Sequence, residues 1–405
     1  MKDRVKEAIH SARVPGETQA AQRSWDVVSA AYRELGAPRG RRRPVGRLAV
    51  GVAVCVALVV GALTPPGPAL ARWIKHAIDL GDSGVPHARH ALSRLPSPGR
   101  LLTAGAGGAA IVQADGSRRF LGPYREASWS PRGLFVVGVR GRQLVAVDPL
   151  GRVRWAITPP GRVSDPRWSP DGFRIAYRSA GTLRVVIGNG TGDRLLARHA
   201  RPGTPAWRPG APHTLAWADD HGRLVVADVD LGITFRSALG GVRVPVDTRT
   251  LEWSSDGARV YALTRHDLRV WTIATARVRR LALPPGGIGV DLATQPGGAR
   301  LALIEVDRLR HHSEIFVLGP RGSAKGARRL FGAAGLLDGL RWSPDGRWLL
   351  AAWRAADQWV FVRVASRPQI TAVAGVARQL DPAARGRATF PRVEGWCCAI
   401  GSPAG

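Results

Sequence analysis

Histidine and aspartate are the residue types whose spacing in this chain first suggests chemistry. His311 and His312 are adjacent, and Asp171, Asp256 and Asp345 recur in similar surroundings. Neighbouring histidines point to opposite sides of an extended chain, so a metal ion would need ligands from elsewhere, and we interpret the pair as part of a solvated loop. Each aspartate stands in a Ser-x-Asp-Gly sequence, where a short polar side chain hydrogen-bonds within the turn. We therefore predict no metal site here.

Motifs for catalysis or cofactor binding are absent from the sequence. It contains no nucleophile elbow, no His-Glu-x-x-His, no EF-hand loop, no phosphate-binding glycine loop and no dinucleotide fingerprint. We therefore expect no cofactor and no enzyme activity. The alternative is a hydrolase or lyase that acts on glycans or lactones through acids or histidines gathered from several repeats.

Three cysteines are too few for a disulfide framework, which needs an even set. Cys55 lies in an apolar run, and Cys397 and Cys398 are neighbours. A bridge between neighbouring residues is strained, so we expect two buried thiols near the C-terminus.

The composition is strongly basic. The 405 residues include 59 Lys and Arg against 30 Asp and Glu, for a formal net charge of +29. Arginine supplies almost all of this charge, a skew that is typical of GC-rich actinobacterial genomes. Because the arginines are spread along the whole chain and no basic block alternates with aromatic residues, nucleic acid is disfavoured as a partner. We expect a solvated basic surface that suits lipid head groups or an anionic cell wall.

An apolar segment near the N-terminus predicts a single membrane anchor. Residues 48–63 are apolar throughout, and a Pro-rich stretch then ends any helix. At 1.5 Å per residue this run spans about 24 Å, slightly short of a typical hydrocarbon core, so the span is completed only if Arg47 snorkels or the Pro-rich end lies at the interface. By the positive-inside bias, five preceding arginines place residues 1–47 in the cytoplasm and the rest outside. The alternative is a signal peptide cleaved after Ala71.

The predicted cytoplasmic segment carries an apolar stripe at helical spacing, formed by Trp25, Val28, Tyr32 and Leu35. An isolated helix of this length is marginal in water. We therefore predict that the stripe docks on a protein partner, a second copy of the chain or the membrane surface. Weak folding against residues 4–12 is the alternative.

A repeat organises the remainder of the chain. One pentapeptide occurs twice without change, as Trp168-Ser-Pro170-Asp171-Gly172 and as Trp342-Ser-Pro344-Asp345-Gly346. Near copies begin at Trp129 and at Trp253, and the second of these ends in Asp256 and Gly257. With degraded copies, the repeats start at residues 129, 168, 207, 253, 294 and 342, a period of about 40 that is typical of four-stranded propeller blades. Ser-Pro-Asp-Gly favours a type I turn, and β-rich runs follow it. We therefore assign these motif residues a structural role.

These motifs resemble those of TolB-like and WD-repeat-like β-propellers over residues 100–398, and the resemblance implies an all-β fold without implying a function. Residues 101–121 look like the second to fourth strands of a blade, and residues 390–396 look like an innermost strand. Joining the two ends gives seven blades, whereas six is the alternative if the C-terminus only covers an edge.

The predicted order of segments is a cytoplasmic helical part (1–47), a transmembrane helix with a Pro-rich exit (48–71), a linker (72–99), the propeller (100–398) and a tail (399–405). This layout predicts a non-enzymatic bacterial membrane protein that acts as an extracytoplasmic interaction scaffold or envelope sensor. The layout resembles that of membrane-anchored anti-sigma factors, although no zinc-binding motif occurs in residues 1–47. A cleaved, TolB-like periplasmic assembly factor is a further alternative.

Overall fold

A computed structural model describes residues 94–398 apart from residues 204, 238–242, 245–247, 249–250, 284–286, 308, 310, 320–325, 383 and 385–387. The predicted cytoplasmic stripe of Trp25, Val28, Tyr32 and Leu35, the predicted anchor, most of the linker and the tail lie outside the described residues. Within the part that is described, no helix combines the length and the apolar character needed to cross a membrane.

The described chain is almost entirely β-structure, with 28 strands. In chain order they are β1 (Arg100–Gly105), β2 (Gly108–Val112), β3 (Arg118–Gly122), β4 (Glu126–Trp129), β5 (Val136–Arg140), β6 (Gln143–Val147), β7 (Val153–Ile157), β8 (Val163–Trp168), β9 (Arg174–Ser179), β10 (Thr182–Ile187), β11 (Arg194–Ala197), β12 (Ala206–Arg208), β13 (Ala211–Ala218), β14 (Leu224–Asp228), β15 (Gly232–Arg236), β16 (Leu251–Trp253), β17 (Arg259–Leu263), β18 (Asp267–Thr272), β19 (Arg277–Ala282), β20 (Ile288–Thr294), β21 (Leu301–Asp307), β22 (His312–Leu318), β23 (Arg328–Ala334), β24 (Leu337–Trp342), β25 (Trp348–Trp353), β26 (Gln358–Arg363), β27 (Gln369–Ala374) and β28 (Arg392–Cys397). One short α-helix, α1 (Val376–Leu380), and two 3-10 turns accompany them.

These strands form seven antiparallel four-stranded sheets, the blades of a β-propeller. Blade 1 combines β28 with β1, β2 and β3, and blades 2 to 7 follow as consecutive groups of four strands from β4 to β27. The preferred prediction of seven blades is therefore confirmed over six. The first strand of each blade is innermost. We call the side where these inner strands begin the entry face, and the side where they end in motif turns the turn face.

The core lies between neighbouring blades. Second strands such as β5 are buried on both sides, which is why they consist of continuous apolar runs. Because successive side chains point to opposite sides, Val136 packs towards blade 1, whereas its neighbour Val137 packs towards blade 3. Seven such apolar clusters are found among the described residues, one in each space between adjacent blades.

The repeated pentapeptide forms the turn between the first and second strands. In the turn of blade 3, the Ser169 hydroxyl donates to Asp171 (2.5 Å) and accepts from the Arg174 N–H (2.9 Å). Gly172 takes a φ of +80°, which glycine adopts without the strain of a side chain. The same bonds recur through Ser254 with Asp256 before Gly257, and through Ser343 with Asp345 before Gly346. Pro170 and Pro344 occupy the second position of their turns, where the proline ring already fixes the φ that the turn needs.

The motif tryptophans join consecutive blades. The indole of Trp253 donates to the carbonyl oxygen of Ala206 at 2.9 Å, and that of Trp342 donates to Ala293 at 3.1 Å. Each acceptor belongs to the inner strand of the preceding blade. Trp168 packs into the space between blades 2 and 3, and Trp129 lies beneath the guanidinium of Arg100, 4.9 Å from the ring centre.

The two ends of the described chain close the ring. Strand β28 pairs antiparallel with β1, which places Leu101 opposite Trp396. Trp396 is almost fully buried and meets Phe361 of blade 7 edge-on, with 5.6 Å between ring centres. The C-terminal strand is therefore part of a blade as well as the seal between blades 7 and 1.

Ending the chain after residue 387 should destabilise the propeller strongly. It removes β28, exposes an edge of β1 and deletes Trp396, and loss of a buried aromatic side chain alone costs about 3 kcal/mol or more. We expect aggregation or melting several degrees lower, measured by thermal unfolding monitored by circular dichroism. Excision of residues 323–325, between β22 and β23, is the control and should be tolerated. Equal stability of the two variants would contradict the role of β28.

Candidate functional site

Inner strands from six of the seven blades bring ionisable side chains to the central channel. The carboxylates are those of Glu126, Glu252, Asp291 and Glu394, and the guanidiniums are those of Arg167 and Arg341. All six are half-buried. We call this set the channel cluster. Arg167, Glu252 and Arg341 each directly precede a motif tryptophan, so when the tryptophan packs between blades its neighbour on the strand points the other way.

The groups of the channel cluster interact across blades. Glu252 lies within electrostatic range of Arg341, Asp291 and Arg167, which belong to three other inner strands. Burial raises the pKa of Glu252 to about 7, although Arg341 opposes the change and Asp291 adds to it. The hydroxyl of Thr294 approaches Glu252 Oε2 at 3.4 Å.

The pKa values of two further carboxyl groups of the cluster are also raised. Burial raises the pKa of Asp291, against Arg341 and against backbone N–H groups of Leu340 (2.9 Å) and Leu292 (2.8 Å) that donate to its oxygens. Burial also raises the pKa of Glu394, against the nearby Arg167. Proton-accepting groups thus share the channel with two cations that can bind an anion.

The histidines and aspartates singled out in the sequence lie away from this channel. His311 has a φ of +50° in the connection before β22, and His312 is the first residue of that strand. The motif aspartates Asp171, Asp256 and Asp345 are held in their turns. Sequence analysis missed the channel cluster. The only available signal was the charged residue before three of the motif tryptophans.

Two groups on blade 4 have a composition compatible with metal binding: His213 with Asp228 and Asp230, and Asp219 with Asp220 and His221. In the first group, the Asp230 carboxylate already accepts from Arg174 (2.6 Å), Arg194 (2.8 Å) and His213 (2.8 Å). The cations around it therefore compete with any metal ion for its lone pairs.

The expectation of two free thiols near the C-terminus is wrong. Cys397 and Cys398 are joined by a disulfide and are only half-buried. Strand β28 ends at Cys397, and the φ of +40° at Cys398 takes the chain out of the extended conformation, in which neighbouring side chains point apart.

A second candidate site lies on the outer rim between blades 3 and 4. It is a cavity of about 300 Å³. Its floor is formed by the buried Trp217, Val225 and Ala227, and polar side chains including Arg198 and Arg236 stand at its margin. We call it the rim groove. Its walls include β11 and β15, each the outermost strand of its blade and therefore with one unpaired edge.

Comparison with solved structures finds other β-propellers. A protein provisionally named as a 6-phosphogluconolactonase from Bacteroides uniformis is 14% identical, with 69% of this chain and 97% of that one covered, at a TM-score of 0.50. A TolB-type protein from Agrobacterium tumefaciens is 17% identical over 62% of this chain and 95% of its own, at a TM-score of 0.43. The propeller domain of Cps50 (Swd1) from Myceliophteria thermophila is 13% identical over 62% and 85%, at 0.46. Neither a protein-family model nor a curated protein matches the sequence. At 14% identity, the likeness to the Bacteroides uniformis protein shows the fold alone.

Replacing Glu252 with Gln should weaken the dependence of stability on pH. A carboxyl whose pKa is raised to about 7 by folding binds more protons folded than unfolded, so its contribution to stability is lost as pH rises from about 5 to about 8. One pKa unit corresponds to about 1.4 kcal/mol, so removing Glu252 should stabilise the protein at pH 8 relative to pH 5 by on the order of 1–3 kcal/mol. Denaturant unfolding at both pH values measures this change.

Glu305 provides an independent check on the same reasoning. It is almost fully buried on β21 opposite Glu314 of β22, and burial, reinforced by Glu314, raises its pKa to about 7. Replacing Glu305 with Gln should have the same sign of effect, and the double variant should flatten the pH profile further. A profile that is unchanged in all three variants would contradict the assigned pKa shifts.

Proposed function

We propose that this chain is a non-enzymatic, membrane-anchored β-propeller that binds a protein partner outside the cytoplasm, as a scaffold or envelope sensor. The apolar run at residues 48–63 and the arginines before it support the anchor and its orientation. The propeller fold is compatible with this role, since it offers a large rigid surface.

The observation that carries the proposal is the rim groove. Its apolar floor and polar margin are the combination by which protein surfaces hold a short segment of a partner. The unpaired edges of β11 and β15 offer backbone hydrogen bonds to an extended chain, which gives affinity without requiring one particular sequence. The partner would therefore contribute an extended segment with at least one apolar side chain.

A photoreactive residue at Arg236 should crosslink to a protein partner in cells of the source organism. Arg236 is exposed at the margin of the rim groove. Replacing Ala197 with Trp should fill the groove and lower the yield of the adduct at least fivefold, as measured by immunoblotting.

The control for the groove is Ala355→Trp, because Ala355 is exposed on blade 7, far from blade 4 along the ring. It should leave the adduct unchanged.

Protease added to intact spheroplasts should digest the propeller if it is extracytoplasmic. An adduct that is insensitive to Ala197→Trp would contradict the groove, and a propeller protected from protease would contradict the location.

The channel cluster favours a second candidate function, an envelope hydrolase or lyase acting on glycans or lactones. A carboxyl with a pKa of about 7 suits general acid or base catalysis near neutral pH, and Arg167 and Arg341 suit stabilisation of a developing anion.

Aryl glycosides and simple lactones test this candidate directly. If it is correct, the purified full chain hydrolyses one of them, and Glu252→Gln lowers the rate by about 100-fold or more. Absence of turnover, or turnover that Glu252→Gln leaves unchanged, would reject the channel as an active site.

A further inference from the structure

Exposed apolar side chains concentrate on one sector of the turn face. Six of the ten large apolar side chains that are exposed among the described residues lie in the turns of blades 2, 3 and 4 or at the strand ends beside those turns. We call them the apolar sector: Leu134, Leu150, Val153, Phe173, Ile187 and Leu231. Leu231 is 88% exposed and Phe173 is 61% exposed. An apolar set of this kind on one face of a protein marks an interaction surface.

Three of the loops that carry these side chains are held in place by aspartates. Asp148 accepts from the N–H of Leu150 at 2.9 Å, Asp171 from that of Phe173 at 3.0 Å, and Asp228 from that of Leu231 at 3.1 Å. In each loop a polar side chain fixes the backbone of the apolar residue that follows it. The exposed side chains are therefore presented by ordered turns.

Polar contacts within blade 3 and between blades 2, 3 and 4 hold the loops of the sector side by side. Trp155 of blade 2 donates to the carbonyl oxygen of Gly188 in blade 3 at 2.9 Å, and the Gly188 N–H donates to that of Phe173 at 2.7 Å. Arg174 of blade 3 reaches Asp230, next to Leu231 in blade 4, at 2.6 Å. Three neighbouring blades thus present one surface.

The chain also enters the propeller on this face. The N–H of Leu95 donates to Ala114 in the loop between β2 and β3, at 2.9 Å. Gly99 lies against the ring of Pro344 in the motif turn of blade 7. Both neighbours belong to the turn face, so residues 95–99, which follow the predicted anchor and linker in the sequence, lie on the side that carries the apolar sector.

We propose that the turn face lies against the lipid bilayer and that the apolar sector enters the headgroup region of an anionic membrane. This inference rests on the proposed function, because it needs the anchor to hold the propeller at a membrane. Apolar side chains at ordered turn tips gain free energy by entering the interface. Arginines stand among these tips and suit anionic lipids, since Arg152 and Arg194 are 52% and 44% exposed and the whole chain carries +29.

Two carboxylates of the sector are paired with arginines and so do not oppose this arrangement. Asp148 is paired with Arg152 at 2.7 Å and with Arg154 at 2.8 Å, and Asp230 is held by Arg174 and Arg194. The negative charges of Asp148 and Asp230 are thus neutralised by neighbouring arginines before they meet a headgroup. With the turn face on the membrane, the entry face is turned towards solvent.

Photocrosslinking to lipid tests the proposal with the full chain. The chain is reconstituted into vesicles of phosphatidylcholine and phosphatidylglycerol that contain an alkyne-tagged lipid, and a benzophenone residue is placed at Phe173 or Leu231. The control position is Leu309, which is 94% exposed on the opposite, entry face of blade 6. We expect at least fivefold more tagged lipid on the chain from positions 173 and 231 than from position 309.

Flotation of the same vesicles separates failure of this inference from failure of the anchor. The chain could float with the vesicles and yet show equally low lipid labelling at positions 173, 231 and 309, or crosslinks only to protein or to a second copy. Either result overturns membrane contact by the sector and leaves the anchor standing. A chain that does not float overturns both.

A double variant, Phe173→Asp with Leu231→Asp, tests the same surface without a crosslinker at its centre. Both side chains are exposed, so the fold should be retained, which thermal unfolding checks. A benzophenone residue at Ile187 should then lose most of its lipid labelling, whereas Leu309→Asp with Leu336→Asp on the entry face should not change it. Unchanged labelling in the first variant would overturn the proposal.

Discussion

The backbone hydrogen bonds between β28 and β1 are the interaction on which the rest of the structure depends. A blade buries its apolar side chains only against its two neighbours, so an open array would expose one face of blade 1 and one face of blade 7. Closure by a strand from the far end of the chain removes both exposed faces at once. It also ties residues about 300 positions apart into one sheet, so the ring forms only when nearly the whole propeller has been assembled.

Closure has an electrostatic consequence at the centre. Inner strands packed side by side around an axis must direct one set of side chains to the channel, where water is restricted. The channel cluster places four carboxylates beside only two guanidiniums, and burial then raises the pKa of Glu252, Asp291 and Glu394. Charges that are far apart along the chain are thereby coupled, which makes the channel one of the places where protonation and stability are linked.

The turn chemistry has a second role beyond joining strands. Short aspartate side chains that order the turns also decide which residues stand at the turn tips. Asp171 acts within its motif turn and at the same time fixes Phe173, whose side chain is directed outward. The aspartate hydrogen bonds that order the turns thus also determine which side chains are exposed on the turn face. The unpaired edges of the outermost strands β11 and β15 likewise border the rim groove, where blades 3 and 4 lie side by side.

The amino-acid sequence by itself determined the repeat and the turns, because these depend on short-range chemistry, and it favoured seven blades over six. Trp168 to Gly172 specifies a turn within five residues, and copies spaced about 40 residues apart specify blades. Residues 390–396 could be recognised as an inner strand since they end at Trp396 as the other inner strands end at their tryptophans. The structure alone decided which side chains meet. Glu252 and Arg341 are 89 positions apart along the chain (341 − 252), and their encounter depends on the curvature of the ring. The disulfide of Cys397 and Cys398 depends on a left-handed backbone conformation that residue types do not specify. The rim groove and the apolar sector likewise arise where separate blades are held side by side, and only tertiary packing brings them together.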